Sequence, residues 1–172
     1  MVMAMAPAVN DEEIGSWLGA ARETIASVRC CWLATRALDG GANARAVQIN
    51  PGAFGSDEWT RRFLCRRASR KVGEMRQDSR VTLAYQIESG DAYVALGGLA
   101  CLVEDRAEMR SLWPESADKM FPDGFADANM IVVRVDVDRI EVHVRGITRE
   151  PFGHGRSLVE RHADGRWRFV PD

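Results

Sequence analysis

The stretch Arg61-Arg62-Phe63-Leu64-Cys65-Arg66-Arg67-Ala68-Ser69-Arg70-Lys71-Val72 carries the densest chemistry in the chain. A short apolar strand core, Phe63-Leu64-Cys65, runs into a basic turn, and a helical pattern opens at Ser69. Ser69 stands where an N-cap belongs, and Val72 and Met75 supply the apolar stripe. Arg70 and Lys71 fall in the first turn, where positive charge opposes the helix macrodipole. That placement costs stability unless an anion sits there. Free backbone N–H groups, a serine hydroxyl and two cations form the donor set of a phosphate site. A solvated basic turn after a strand has the same composition, so this segment alone leaves both readings open.

A second segment bears on that choice. Cys30-Cys31-Trp32-Leu33-Ala34-Thr35-Arg36 reads as a buried strand, Asp39-Gly40-Gly41 as a turn, and residues 43–50 as a second strand. On the second strand Arg45, Val47 and Ile49 share one face, and Ala44, Ala46 and Gln48 the other. An arginine in line with Val and Ile on an inward face needs a partner, because an unpaired buried guanidinium is costly. A ligand phosphate would serve; so would a buried Asp or Glu.

Other chemistries find little support. There are no paired carboxylates, no Ser-His-Asp set, no Walker loop and no G-x-G-x-x-G. The formal net charge of −2 argues against general nucleic-acid binding. Cys30, Cys31, Cys65 and Cys101 show neither C-x-x-C nor metal-ligand spacing with a histidine. Each lies in an apolar strand pattern, so they read as core thiols of a reducing cytoplasm. Cys30 and Cys31 alternate faces, which makes a bridge between them awkward. His143 reads as an ordinary strand residue, His154 as an exposed loop residue, and Arg134 and Arg145 as ion-pair partners at the surface or a dimer seam. Asp39, Asp91 and Asp123 read as turn acids.

The elements that must position these residues can be traced along 172 residues, a length that suits one domain with a hydrophobic core. Residues 1–9 are apolar but lack a basic flank and are too short for a membrane span; they read as a disordered arm. Asn10 caps a helix with acids in its first turn, and Ile14, Trp17, Leu18, Ala21, Ile25 and Val28 form its stripe. Strands are predicted at 30–36, 43–50 and 62–66, a helix at 69–77, and strands at 80–87 and 91–103 joined by Glu88-Ser89-Gly90-Asp91. Asp105 or the residue before it caps a helix reaching about Leu112, and a short helical piece is expected around Glu115–Met120. Ile131–Val135 and Ile140–Val144 are expected to pair around Asp136–Arg139. Ser157–His162 and Arg166–Val170 flank the hairpin turn Ala163-Asp164-Gly165. Many short strands with brief links predict an antiparallel, mainly β barrel with flanking helices.

Taken in order, these segments resemble the flavin-binding split β-barrels related to pyridoxamine phosphate oxidase, in particular the general stress protein subgroup. The resemblance runs from about Ile14 to Arg145. It rests on Leu33-Ala34-Thr35, the Asp-Gly turn, Arg45-Ala46-Val47, Ser69-Arg70-Lys71, Val81–Tyr85, Tyr93–Gly98, Glu104-Asp105-Arg106, Leu112-Trp113 and Phe121-Pro122-Asp123-Gly124. The family implies a six-stranded antiparallel Greek-key split barrel, spanning residues 10–150, here followed by a C-terminal extension at 151–172 that could pack on a partner subunit or near the ligand. It further implies FMN as cofactor, with FAD or an empty site as alternatives, and a homodimer with flavin at the interface. Carried over by position, Arg45, Ser69, Arg70 and Lys71 hold the phosphate. Ala46, Val47, Gln48, Ile49 and Asn50 line the ring. Leu64 and Cys65 stand where the oxidases have a Tyr-Thr pair, so a threonine hydroxyl contact is lost.

Departures from the oxidase pattern fall on the substrate side. Ala92 replaces a flavin-reaching Gln, His143 a Trp, Asn50 a phosphate-binding Lys, and Pro151 the His of an Arg-x-His, leaving Arg149 as the one survivor. The expectation is therefore a cytoplasmic FMN-binding protein without pyridoxamine phosphate oxidase activity. It is either a flavin-dependent oxidoreductase of an unidentified small substrate or a non-catalytic flavin-holding stress protein. An empty scaffold, or a barrel for haem or a deazaflavin, is the third reading.

Overall fold

The computed structural model describes residues 9–49, 57–113, 117, 121, 123–152 and 157–171. Helix α1 (Asp11–Ser27) begins as its sequence demands. The Asn10 side chain accepts from the Glu13 backbone N–H at 2.8 Å, and Asp11, Glu12 and Glu13 face the positive end of the helix dipole. Its stripe of Ile14, Trp17, Ala21 and Ile25 is buried against the sheet, with Leu18 and Val28 partly covered beside it.

Strands β1 (Cys30–Arg36) and β2 (Ala42–Gln48) form a hairpin whose turn puts Gly40 at φ +91°, a conformation glycine adopts without a Cβ penalty. Then follow β3 (Thr60–Arg66), α2 (Arg70–Gln77), β4 (Arg80–Ile87) and β5 (Ala92–Val103). After α3 (Arg106–Ser111) come β6 (Met130–Val144), β7 (Leu158–Arg161) and β8 (Trp167–Phe169). All pairings are antiparallel. The order is β2-β1-β4-β5-β6-β7-β8, with β3 on the first half of β6. This mainly β sheet encloses Leu33, Phe63, Leu83, Leu96, Val133 and Ile140. A smaller cluster of Val103, Met109, Phe121, Met130 and Val132 lies under α3. Trp113 packs there, 6.0 Å from the Phe121 ring and 5.4 Å from the Phe125 ring.

Three expectations need correction. Residues 131–135 and 140–144 are not a hairpin but parts of one strand, β6. No turn-forming Gly or Asn-Gly interrupts 136–139, and Val135 and Val137 keep facing the core. A bulge opposite Gly97/Gly98 skips Asp138 and restores the inward alternation at Ile140. β3 starts at Thr60, because Thr60 and Arg61 are buried rather than part of a solvent-facing basic run. Cys30 and Cys101 are exposed thiols on the outer face, whereas Cys31 and Cys65 are in the core; all four are free. The C-terminal hairpin, turned by Gly165 at φ +80°, extends the chain's own sheet through β7 on β6. It also shares the main core: Phe169 meets Trp17 and Trp167 meets Trp59, each edge-on. Of the expected helical piece at 115–120, only Ala117 lies among the described residues, in the smaller core cluster. Among the described residues, no helix is long and apolar enough to cross a membrane.

Candidate functional site

Ser69 is the N-cap of α2 by position (φ −74°, ψ 147°), and its carbonyl takes the first helical N–H groups from Val72 and Gly73. Its hydroxyl caps nothing. The oxygen is out of solvent and makes no hydrogen bond of normal geometry; the Cys65 thiol lies beside it. Burial raises that thiol above its usual value, and the nearby Lys71 charge and Ser69 hydroxyl draw it partly back. The first turn of α2 contains no acid. Lys71 is half-buried and pairs with no carboxylate among the described residues. A buried hydroxyl with no hydrogen bond of normal geometry and a cation with no counter-ion among the described residues, at the positive end of a helix, are what an anion would complete.

Arg45 reaches the same helix from β2, pointing inward with Val47. Its partner is the carboxylate of the two left open by the sequence: Glu74, on the second turn of α2. The Arg45 Nη2 donates to Glu74 Oε2 at 2.6 Å, and Nη1 donates to Thr35 Oγ1 at 2.5 Å. Thr35 Oγ1 donates to Glu74 Oε2 and Asn43 Nδ2 to Glu74 Oε1, both at 2.6 Å. Arg70 Nε adds a looser contact to Oε1 at 3.4 Å from a side chain 68 % exposed. The Glu74 side chain is 1 % exposed. Burial pushes its pKa upward, but the bonds from Thr35, Asn43 and Arg45 and the Arg45 charge outweigh burial, so it lies below the ordinary glutamate value. Glu74 is thus ionised and fully donated to.

Of the residues singled out from sequence, Arg45 and Arg70 meet on Glu74, and Ser69 and Lys71 share the helix start with them. Ala46 and Gln48 lie on the exposed outer face of β2, and Val47 is in the core. Ile49 is partly buried against that core, and Asn50 lies outside the described residues. Leu64 packs on the smaller cluster, and Cys65 is in the main core. β2 ends the sheet order, paired with β1 on one side. Glu74, Thr35 and Asn43 escaped the sequence reading. The signals were there: Glu74 follows Arg70 by one turn and adjoins the apolar Met75, and Asn43 shares Arg45's face of β2.

The rest of the oxidase pattern is otherwise engaged. Arg149 Nε donates to Glu13 Oε1 at 3.0 Å, and its guanidinium lies 5.4 Å from the Phe169 ring centroid. His143 Nε2 lies 3.3 Å from Glu141 Oε1. Both side chains line a shallow pocket with Trp32 and Tyr93 on the outer face of the sheet. Arg134 pairs with Asp136 and Glu108, and Arg145 with Asp91. His154 lies outside the described residues. Among those described, no cluster of His, Cys, Asp and Glu could hold a metal ion.

A family model described as pyridoxamine 5'-phosphate oxidase like matches residues 19–148, so the chain belongs to that family. Solved structures with the same fold include a protein related to general stress protein 26 from Clostridium acetobutylicum. It is 15 % identical, with a TM-score of 0.66, and the match covers 80 % of this chain and 92 % of that one. A pyridoxamine 5'-phosphate oxidase-related, FMN binding protein from Nostoc punctiforme matches at 19 % identity and TM-score 0.60, over 98 % and 100 % of the two chains. A heme binding protein from Mycobacterium smegmatis matches at 18 % identity and TM-score 0.61, over 88 % of this chain and 59 % of that one. At these identities the likeness shows the fold. No curated protein sequence matches the chain.

Proposed function

We propose that this chain binds FMN, with the phosphate at the start of α2 and the ring along β2. The observation that carries the reading is the first turn of α2, where the buried Ser69 hydroxyl makes no hydrogen bond of normal geometry and Lys71 lacks a carboxylate among the described residues. Arg45, Arg70 and Lys71 against Glu74 leave two positive charges, which match the charge of a phosphomonoester dianion such as that of FMN. The hydroxyl of Ser69 and the free N–H groups of the first turn would donate to the phosphate oxygens, and the edge of β2, unpaired among the described residues, offers backbone donors and acceptors to ring heteroatoms. When bound, the flavin supplies the electron chemistry, while the protein binds and orients it. The family and the FMN binding relative from Nostoc support the same choice of ligand.

Pyridoxamine phosphate oxidation is not part of this function. Arg149 is held by Glu13 and Phe169, and Pro151 stands where the oxidases use a histidine. That favours a flavin-dependent oxidoreductase of another small substrate or a protein that holds flavin without turnover. The pocket is proposed to be completed by a second copy of the chain, since the outer face beside β2 leaves Trp32 exposed. The deciding experiment is an absorption spectrum of the purified protein, followed by titration with FMN and with riboflavin, which lacks the phosphate. Flavin bands and a marked preference for FMN are expected. A Soret band, or equal affinity for both flavins, would overturn the reading. NADH or NADPH consumption under air then separates enzyme from holder.

A further inference from the structure

Arg45 offers five N–H donors in a rigid plane, and the structure accounts for one end of it. Nη1 bonds Thr35 Oγ1 (2.5 Å) and approaches Leu33 O (3.5 Å), while Nη2 bonds Glu74 Oε2 (2.6 Å). Thr35 and Glu74 are themselves joined at 2.6 Å, so the two acceptors form one preassembled cradle for the guanidinium's tip. No acceptor among the described residues meets Nε. With Nη1 and Nη2 held together at the tip, the remaining lateral edge is the one Nε shares with Nη2, which can receive two oxygens of a phosphate side-on. The side chain remains 19 % exposed, so this edge is not sealed off.

We infer that Glu74 is a positioning residue of the phosphate site: by clamping the tip of Arg45 it leaves the Nε–Nη2 edge as the one with which Arg45 can meet the ligand phosphate. The inference rests on the phosphate reading of the α2 start. Glu74 is rigid enough for the task because Asn43 holds its other oxygen and β1, β2 and α2 all contribute to its shell. Arg70, exposed and 3.4 Å away, is tethered only loosely and acts as a mobile second cation. In this arrangement the helix that supplies Ser69 and Lys71 also fixes the strand cation opposite them.

A purely electrostatic role for Glu74 predicts the opposite experimental sign, which makes the test sharp. Glu74→Gln removes a negative charge beside a dianion, so charge alone would tighten FMN binding. Positioning predicts weakening, because a neutral amide cannot accept from Thr35, Asn43 and Arg45 together and its NH₂ faces another donor. Affinities for FMN and riboflavin are measured by fluorescence titration for the wild type, Glu74→Gln, Asn43→Ala and Lys71→Ala. Glu74→Gln is expected to weaken FMN by about tenfold or more, with riboflavin unchanged, and Asn43→Ala to weaken FMN in the same direction by less. If Lys71→Ala weakens FMN but Glu74→Gln leaves it equal or tighter, the positioning role is wrong and the phosphate reading stands. If Lys71→Ala leaves FMN unaffected, the phosphate reading fails and the inference falls with it. Should circular dichroism show Glu74→Gln unfolded, Asn43→Ala decides, an unchanged FMN affinity counting against the inference.

Discussion

At the scale of single residues, two polar groups on α2 stand at opposite ends of hydrogen-bond satisfaction. Glu74 is satisfied by three short bonds, Ser69 by none of normal geometry. Lys71→Ala should weaken FMN by about 1.5–3 kcal/mol, the cost of a lost charge-assisted bond, while leaving thermal stability of the flavin-free protein intact. Unchanged FMN affinity in a titration would remove Lys71 from the site. Glu74 also makes stability depend on pH with a definite sign. Its folded pKa lies below its unfolded one, so its contribution is fully present above the unfolded value of about 4.3. It fades as the pH falls through the lower folded value. Urea midpoints measured from pH 7 downward should decline in that acid window for the wild type and decline less for Glu74→Gln. Burial pushes the Cys31 thiol up to about 11, with the Tyr85 side chain and the Arg61 charge among the groups drawing it partly back. Cys31 and Cys65 should therefore resist alkylation at pH 8 until denaturant is added, and any label on the native protein should map by mass spectrometry to Cys30 and Cys101.

At the scale of elements, the local rules wrote most of the fold. Asn10 and Asp105 cap their helices with the bonds their side chains predict, and Asp39-Gly40-Gly41 turns the first hairpin. β6 shows where local reading fails. Asp136-Val137-Asp138-Arg139 has the polarity of a turn, yet Arg134 takes up Asp136 and Arg80 of β4 takes up Asp138 at 2.7 Å, so the polar residues serve a continuous strand. Only tertiary pairing with β5 reveals this. The site divides the same way: the cations at the start of α2 were readable from their clash with the helix dipole, whereas Glu74, 29 residues beyond Arg45, is assigned to it by folding alone. The bulge that keeps β6 in register depends on Gly98, where an added Cβ would sit 2.5 Å from Asp136 O and 3.0 Å from Val137 Cα. Because both obstacles are backbone, Gly98→Ala should cost about 1–3 kcal/mol or more. A urea midpoint equal to wild type would show that the β5–β6 crossing is looser than drawn.

At the scale of the whole molecule, one face of the sheet is left uncovered among the described residues. α1, α2 and the C-terminal hairpin cover the core, but the outer face of β2, β1, β4 and β5 carries Ala44, Ala46, Ala84 and Ala95 around Trp32, which is 55 % exposed. Small side chains let another surface approach closely, and an indole exposed among them is the kind of anchor that dominates interfaces. The same face borders the exposed side of β2, so a second copy seated there would stand beside the proposed ring site and could complete it by two-fold symmetry. An obligate interface of this kind should bury more than roughly 2,000 Å² in total. Light scattering is therefore expected to give a dimer at micromolar concentration. Trp32→Glu sets a charge in the middle of the apolar face without touching the core, and should shift the protein toward monomer while preserving its circular dichroism. If the ring site is shared, the same variant loses affinity for FMN and riboflavin alike, in contrast to Lys71→Ala, which discriminates between them. A wild-type monomer would exclude both the interface and the shared site; a monomeric Trp32→Glu that keeps full flavin affinity would exclude the shared site alone.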